Sequence, residues 1–302
     1  MPEFDNRVLV EQKLYESPLP HYNPEVFKTE NGSLYLKEPG VAVVSIPYVD
    51  FSGVQKFLDG FPPELEFFKY LQDPTPLPPA ESLCKFAGQL CYLRFGEKRT
   101  HNKDAVKYFQ NILEQSHGSV LEHANISILM WGVSRSLTHE LIRHRAGFGF
   151  SQVSQRYVEK LRFVERPEYA EDPLLHEMFE ENIEYVESRY NKISKYLFEL
   201  QSSGYGILSA ERKTDLYKKV RQTARSVLPN ETEAPILVTG NTRAWRHFLN
   251  MRCNEHAEIE IRRAAFQTYR CLIEVAPILF ADFQVEHASD GTHVLKTNYP
   301  KV

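Results

Sequence analysis

Ala257, Ile261, Ala264, Ala265, Thr268, Leu272 and Val275 recur at steps of three and four residues and form one continuous stripe. A helix with so long an apolar face is not stable alone in water, so the rest of the chain must build a core that receives it. The 302 residues suffice for one large domain or two modest ones, each able to bury such a core. Asn254 reads as the N-cap of this helix, with Glu255 suited to its positive end. Pro277 interferes at the other end.

Upstream segments supply partners for that helix. VAVVSIPYV (41–49) reads as a strand of β-branched residues stopped by Pro47, and HANISILMW (123–131) as a second strand. The connector DPTPLPPAESL leads to a helix capped near Ser82. In 103–116, Val106, Phe109, Ile112 and Leu113 fall on one helical face. SRSLTHELIRHR reads as a helix with Ser134 at its N-cap and Leu137 and Leu141 one turn apart. The glycine-rich AGFGF breaks it, and SQVSQRYVE returns to extended structure. Helices are expected over 173–201 and 211–226, then a turn and a short strand in LPNETEAPILVTGN. Residues 1–40, interrupted by Pro18, Pro20, Pro24 and Pro39, read as an N-terminal extension, and 41–302 as a single domain. The fold class expected is α+β, with helices in the majority.

Composition narrows the functional classes. A 42% hydrophobic, 25% charged chain with 19 Phe and 16 Tyr is not a disordered one. A net charge of -4 gives no general affinity for nucleic acid, so any basic surface is local. The longest apolar run is too short to span a bilayer, and MPEFDNRVLVEQK lacks the apolar core of a signal peptide. Cys84, Cys91, Cys253 and Cys271 show no metal-like spacing and read as buried reduced thiols. A cytoplasmic protein is the expectation.

Three clusters stand out against that background. In LIRHRAGFGFSQVSQRYVEK (141–160), Arg143, His144 and Arg145 sit at a helix end before a loop with two glycines; Gln152, Ser154, Gln155 and Arg156 follow. Guanidinium forks match phosphate oxygens, and glycine lets backbone N–H groups approach a ligand. A solvated basic turn is the competing reading. In GNTRAWRHFLNMRCNEHAEIEIRR (240–263), Asn241, Arg243, Arg246, His247 and Arg252 share a predicted helix, either facing a ligand or paired with Glu255, Glu258 and Glu260. In QSHGSVLEH (115–123), His117, Ser119 and His123 flank a turn. Packed histidines explain these better than zinc, because no HExxH occurs and no metal site is expected.

The string RHRAGFGFSQVSQRYV resembles the signature of the flavin-dependent thymidylate synthases: RHR, seven residues, Ser, then Arg-Tyr. NTRAWRHFLNMRCNEHAEIEIR resembles the family's second signature, HGSVLEH its upstream motif, and ARSVLPNETE its segment before the strand. These four motifs follow in order within residues 80–285. Two departures stand beside them. Eight residues, not seven, separate Arg145 from Ser154, and Gln89 stands where the family often has Arg.

The resemblance implies a mixed fold with a central, mostly antiparallel sheet and packed helices, in a homotetramer with active sites between subunits. It implies conversion of dUMP to dTMP, with methylenetetrahydrofolate as carbon donor and FAD, reduced by NADPH, as hydride source. Carried over by motif, Ser119, Arg143, His144, Arg145, Asn241, Arg243 and His247 would hold flavin. Glu140, Arg143, Gln152, Ser154, Gln155, Arg156, Arg225 and Arg252 would hold the nucleotide, with Arg252 polarising the uracil ring as the catalytic residue. Cys253 keeps a structural role. Under this reading no nucleic-acid or membrane partner is expected. Two other readings stay open: a relative acting on another pyrimidine or one-carbon donor, and a non-enzymatic RNA-binding module using the arginine clusters, which predicts salt-steep RNA binding and a colourless protein.

Overall fold

The computed structural model describes residues 18–203 and 213–302. Its centre is a five-stranded, wholly antiparallel sheet of β1 (His21–Tyr22), β4 (Gly40–Ser45), β5 (Asn125–Trp131), β8 (Ile236–Asn241) and β6 (Phe148–Gln152), in that spatial order. A second sheet joins β2 (Val26–Lys28) antiparallel to β3 (Leu34–Leu36), and β3 parallel to β7 (Phe163–Val164). The hairpin of β9 (Gln284–His287) and β10 (His293–Lys296) closes the chain. The helices are α1 (Val54–Asp59), α2 (Pro79–Leu90), α3 (Ala105–Glu114), α4 (Arg135–Leu141), α5 (Pro167–Ala170), α6 (Pro173–Ser202), α7 (Lys213–Ala224), α8 (Thr242–Arg252), α9 (Ile259–Val275) and α10 (Pro277–Phe280). The expected α+β class with a central antiparallel sheet is the class observed.

Alternation along the strands sets the layers. Ile126, Ile128 and Met130 of β5 and Ile236 and Val238 of β8 are buried in the main core, which also takes up Ile261, Ala264, Ala265 and Leu272 of α9. Ser127 and Thr239 point the other way and hydrogen-bond each other at 2.8 Å. A smaller core gathers Tyr35, Phe163, Phe179, Ile183 and Tyr190 between the second sheet and α6. Within 18–40, Tyr35 and Leu36 are buried.

Local expectations fare unevenly. The Ser134 Oγ accepts from the Leu137 amide at 3.1 Å, as an N-cap should. The helix after the proline connector starts instead at Pro79, because proline's fixed φ suits the first helical position; Ser82 lies inside it. Val106 points to solvent and Ala105 takes the buried place. Asn254 does not cap α9. Its amide donates back to Asn250 and Met251 carbonyls and so closes α8, while Glu258 precedes α9. Extended structure in SQVSQRYVE ends at Gln152; amides of Tyr157 and Val158 then bond the Ser154 carbonyl in a turn. Cys84, Cys253 and Cys271 are buried and free, but Cys91 is exposed. The first two residues expected in the 211–226 helix lie outside the described residues.

Candidate active site

Helix α8 organises the site, and three contacts fix it. The Thr242 Oγ1 donates to the Leu121 carbonyl at 2.5 Å, the Trp245 indole to the Ile126 carbonyl at 3.1 Å, and Asn241 Oδ1 caps the helix by accepting from Ala244. Asn241 therefore serves the helix start whatever else it binds. The RHR loop packs against this start. Gly147 has φ +76°, and a Cβ there would lie 2.7 Å from Asn241 Nδ2 and 2.9 Å from Ala244 Cβ. Glycine is required here by packing against protein, which differs from the ligand approach expected of the loop. A Cβ on Gly118 would likewise reach Arg243 Nε at 2.9 Å, so the turn bearing Ser119 lies against α8. Arg243 pairs with Glu122 at 2.6 Å.

The end of α8 meets the end of α4. Arg252 Nη1 donates to Glu140 Oε2 at 2.7 Å, and its Nε donates to His144 Nε2 at 2.9 Å. Two nitrogens are thus committed, while Nη2 has no partner among the described residues. Burial and the neighbouring Arg252 and His247 push His144 down to about 4. His144 is neutral at pH 7, as an acceptor from a guanidinium must be. Its ring lies 5.6 Å from those of His247 and Phe248. Glu140, His144, Arg252, His247, Arg243, Asn241 and Ser119 are therefore gathered along α8 and its approach.

Arg143 and Arg145 flank His144 on the solvent side, exposed and without a side-chain partner among the described residues. Gln152 donates to Thr138 of α4 at 2.8 Å, which ties β6 to the same region. The turn after β6 carries Ser154, Gln155 and Arg156. Gln155 Nε2 and Arg156 Nε are buried with no acceptor among the described residues. α7 clasps this turn, since Arg221 donates to the Tyr157 carbonyl at 2.8 Å. Arg225 follows one turn later; no side-chain contact joins it to the α8 group among the described residues.

Arg246 does not belong with the site arginines. It is buried, and salt-bridges Asp282 rather than the expected glutamates. One residue escaped sequence reading: Lys218 of α7 lies 5.3 Å from the Tyr157 ring and, as its main influence, hydrogen-bonds that phenol and lowers its pKa. Its spacing of three from Arg221 was the available signal. Among the described residues no group of three or more His, Cys, Asp or Glu side chains could hold a metal ion. Nor is any helix long and apolar enough to cross a membrane.

Unpaired guanidiniums and two buried N–H donors without acceptors fit a site for anions, as a nucleotide cofactor with its phosphates would be. Comparison with known proteins agrees in kind. The family described as thymidylate synthase complementing protein matches residues 72–278. A flavin-dependent thymidylate synthase of Mycolicibacterium gilvum (strain PYR-GCK) is 42% identical over 215 residues, 70% of this chain and 83% of that protein. One of Mycobacterium tuberculosis (strain ATCC 25177 / H37Ra) is 43% identical over 216 residues, again 70% and 83%. A UMP/dUMP methylase, PolB from Streptomyces cacaoi, bound with 5-Br dUMP, superposes with a TM-score of 0.53 at 17% identity, covering 81% of this chain and 94% of that one. That last likeness concerns the fold alone. Extent and identity together place this chain in the flavin-dependent thymidylate synthase family.

Proposed function

We propose that the protein methylates dUMP reductively to dTMP, taking carbon from methylenetetrahydrofolate and using FAD that NADPH reduces. The observation that carries this reading is Arg252, held by Glu140 and His144 with one nitrogen left over. Bound reduced flavin supplies the hydride. The chain's own part is position and charge. Arg143, Arg145, Arg243, Asn241, Ser119, His144 and His247 would hold the cofactor, while Glu140, Gln152, Ser154, Gln155, Arg156, Arg225 and, in a second contact, Arg143 would receive the nucleotide. The free Nη2 of Arg252 donates to the uracil carbonyl, where negative charge develops as C5 becomes nucleophilic. A neutral His144 keeps Arg252 oriented without placing a second positive charge beside it.

Residues 41–302, with β1, β2 and β3 of the preceding segment added to their sheets, act as one catalytic domain, in a homotetramer whose sites lie between subunits, working in the cytoplasm without nucleic-acid or membrane partners. The open, solvent-facing placement of Arg143, Arg145 and Ser119 supports a site completed by another subunit. Purified protein should be yellow and should form dTMP only with dUMP, methylenetetrahydrofolate and NADPH together, as read by chromatography of the products. Flavin oxidation that depends on another nucleotide would point to a different pyrimidine; a colourless protein would refute the flavoenzyme.

A further inference from the structure

Helices α6 and α7 pack together but leave a cavity of about 380 Å³ between them. That is the size of a small-molecule site. None of its lining residues belongs to the flavin or nucleotide set. Phe198 and Tyr217, stacked on each other at 4.8 Å, form an aromatic wall, and Val220 adds an aliphatic one. The charges at its rim are already matched. Arg221 pairs with Glu159 at 2.7 Å, and Lys195 with Glu199 at 4.0 Å.

Two hydroxyls in this lining are unsatisfied. Tyr190 and Ser194 stand one turn apart on α6, and Tyr190 is 1% exposed. Tyr190 Oη and Ser194 Oγ are buried and feel each other's charge. Neither meets hydrogen-bond geometry with any described residue. Burial raises the pKa of the Tyr190 phenol, so the group keeps its proton and calls for an acceptor. Buried hydroxyls in folded proteins are normally paired. Water could bridge these two, but it gains nothing from the aromatic and aliphatic walls.

We propose that this cavity is an effector site for an uncharged, planar aromatic compound bearing a carbonyl oxygen. The ring lies against Tyr217 and Val220, and the carbonyl accepts from Tyr190 Oη. A charged ligand is disfavoured, because the matched rim offers it no free counter-ion. Occupancy reaches the turn after β6 through Arg221. That residue lines the cavity, lies 5.6 Å from the Tyr217 ring and donates to the Tyr157 carbonyl at 2.8 Å. An occupant packed on the Arg221 stem orders it. Less ordering is then left for dUMP binding to do, so the two ligands bind cooperatively. The cooperativity rests on the reading of that turn as nucleotide-binding; the ligand site itself does not.

Equilibrium dialysis of the flavin-loaded full chain against coumarin tests the site. Wild type should bind this uncharged two-ring lactone with a Kd below about 1 mM. Tyr190→Phe removes the donor and keeps the ring, so it should weaken coumarin about tenfold. The same variant should bind naphthalene, two rings without a carbonyl, as wild type does. Saturating coumarin should tighten dUMP binding to wild type about fivefold. No coumarin binding at millimolar concentration, or a Y190F chain that binds it as tightly as wild type, would overturn the site. Coumarin binding that leaves dUMP affinity unchanged would overturn the effector role. A wild type that binds coumarin through Tyr190 but binds no dUMP would refute the nucleotide reading and support the ligand site.

Discussion

Two arginines on one helix, Arg246 and Arg252, meet opposite fates. Arg246 is 1% exposed, and every one of its nitrogens is used: Nε on the Val302 carbonyl, Nη1 on the Leu279 carbonyl and Asp282, Nη2 on Asp282 at 2.8 Å. Arg252 is anchored at two nitrogens and keeps a third. The first ties the C-terminal segment to α8; the second is aimed outward. Arg143 and Arg145 continue the trend, with no protein partner among the described residues. A guanidinium saturated by carbonyls and carboxylate holds structure, whereas one left partly unsatisfied at an open face can receive an anion.

This contrast can be broken most strongly at Arg246. Arg246→Ala strands Asp282 and two carbonyls, and should cost about 3 kcal/mol of stability in urea unfolding. If the variant still folds, its flavin content should match wild type. Arg252→Ala should do the reverse, lowering kcat about a hundredfold with flavin absorbance and urea midpoint nearly unchanged. Loss of flavin from a folded R252A chain would remove Arg252 from its assigned role.

A smaller effect sharpens the comparison through His144. Its folded pKa, about 4, lies below the ordinary histidine value, so the unfolded chain binds the extra proton first. The associated stability is fully present above about pH 6.5. It is lost as pH falls, down to the folded value of about 4. After discounting for partial exposure, the loss between pH 7 and pH 5 should be on the order of 1 kcal/mol. Urea unfolding at both pH values should show a correspondingly smaller slope for His144→Asn; an unchanged slope would mean that His144 is not the titrating group.

Local residue pattern made β4, β5, β8, α9 and the Ser134 cap legible, because each depends on residues near in sequence, whereas β1, β2 and β3 lay in a segment read as an extension and are set by partners far along the chain. The clusters were legible as clusters, but their division was not. Asp282 claims Arg246 from 36 residues away, and Glu140 reaches Arg252 from 112 away. No local pattern announces such partners. Grouped by proximity, Arg243, Arg246 and Arg252 looked alike; helix geometry turned one inward. Asn254 misled for a related reason, since an asparagine between two helices can close the first as well as open the second, and carbonyl geometry decides. The two-glycine loop read as room for a ligand, whereas at Gly147 the same freedom of backbone serves close packing on Asn241 and Ala244.

The most direct test is to compare two arginines of opposite class for dUMP affinity by titration calorimetry on flavin-loaded protein. Arg143 has no side-chain partner among the described residues, whereas Arg263 pairs with Glu38 at 2.8 Å. Arg143→Gln should weaken dUMP binding about tenfold, in line with one charged hydrogen bond, and Arg263→Gln should leave it unchanged. Equal affinities in both variants and wild type would contradict the assignment of the unpaired Arg143 guanidinium to the nucleotide.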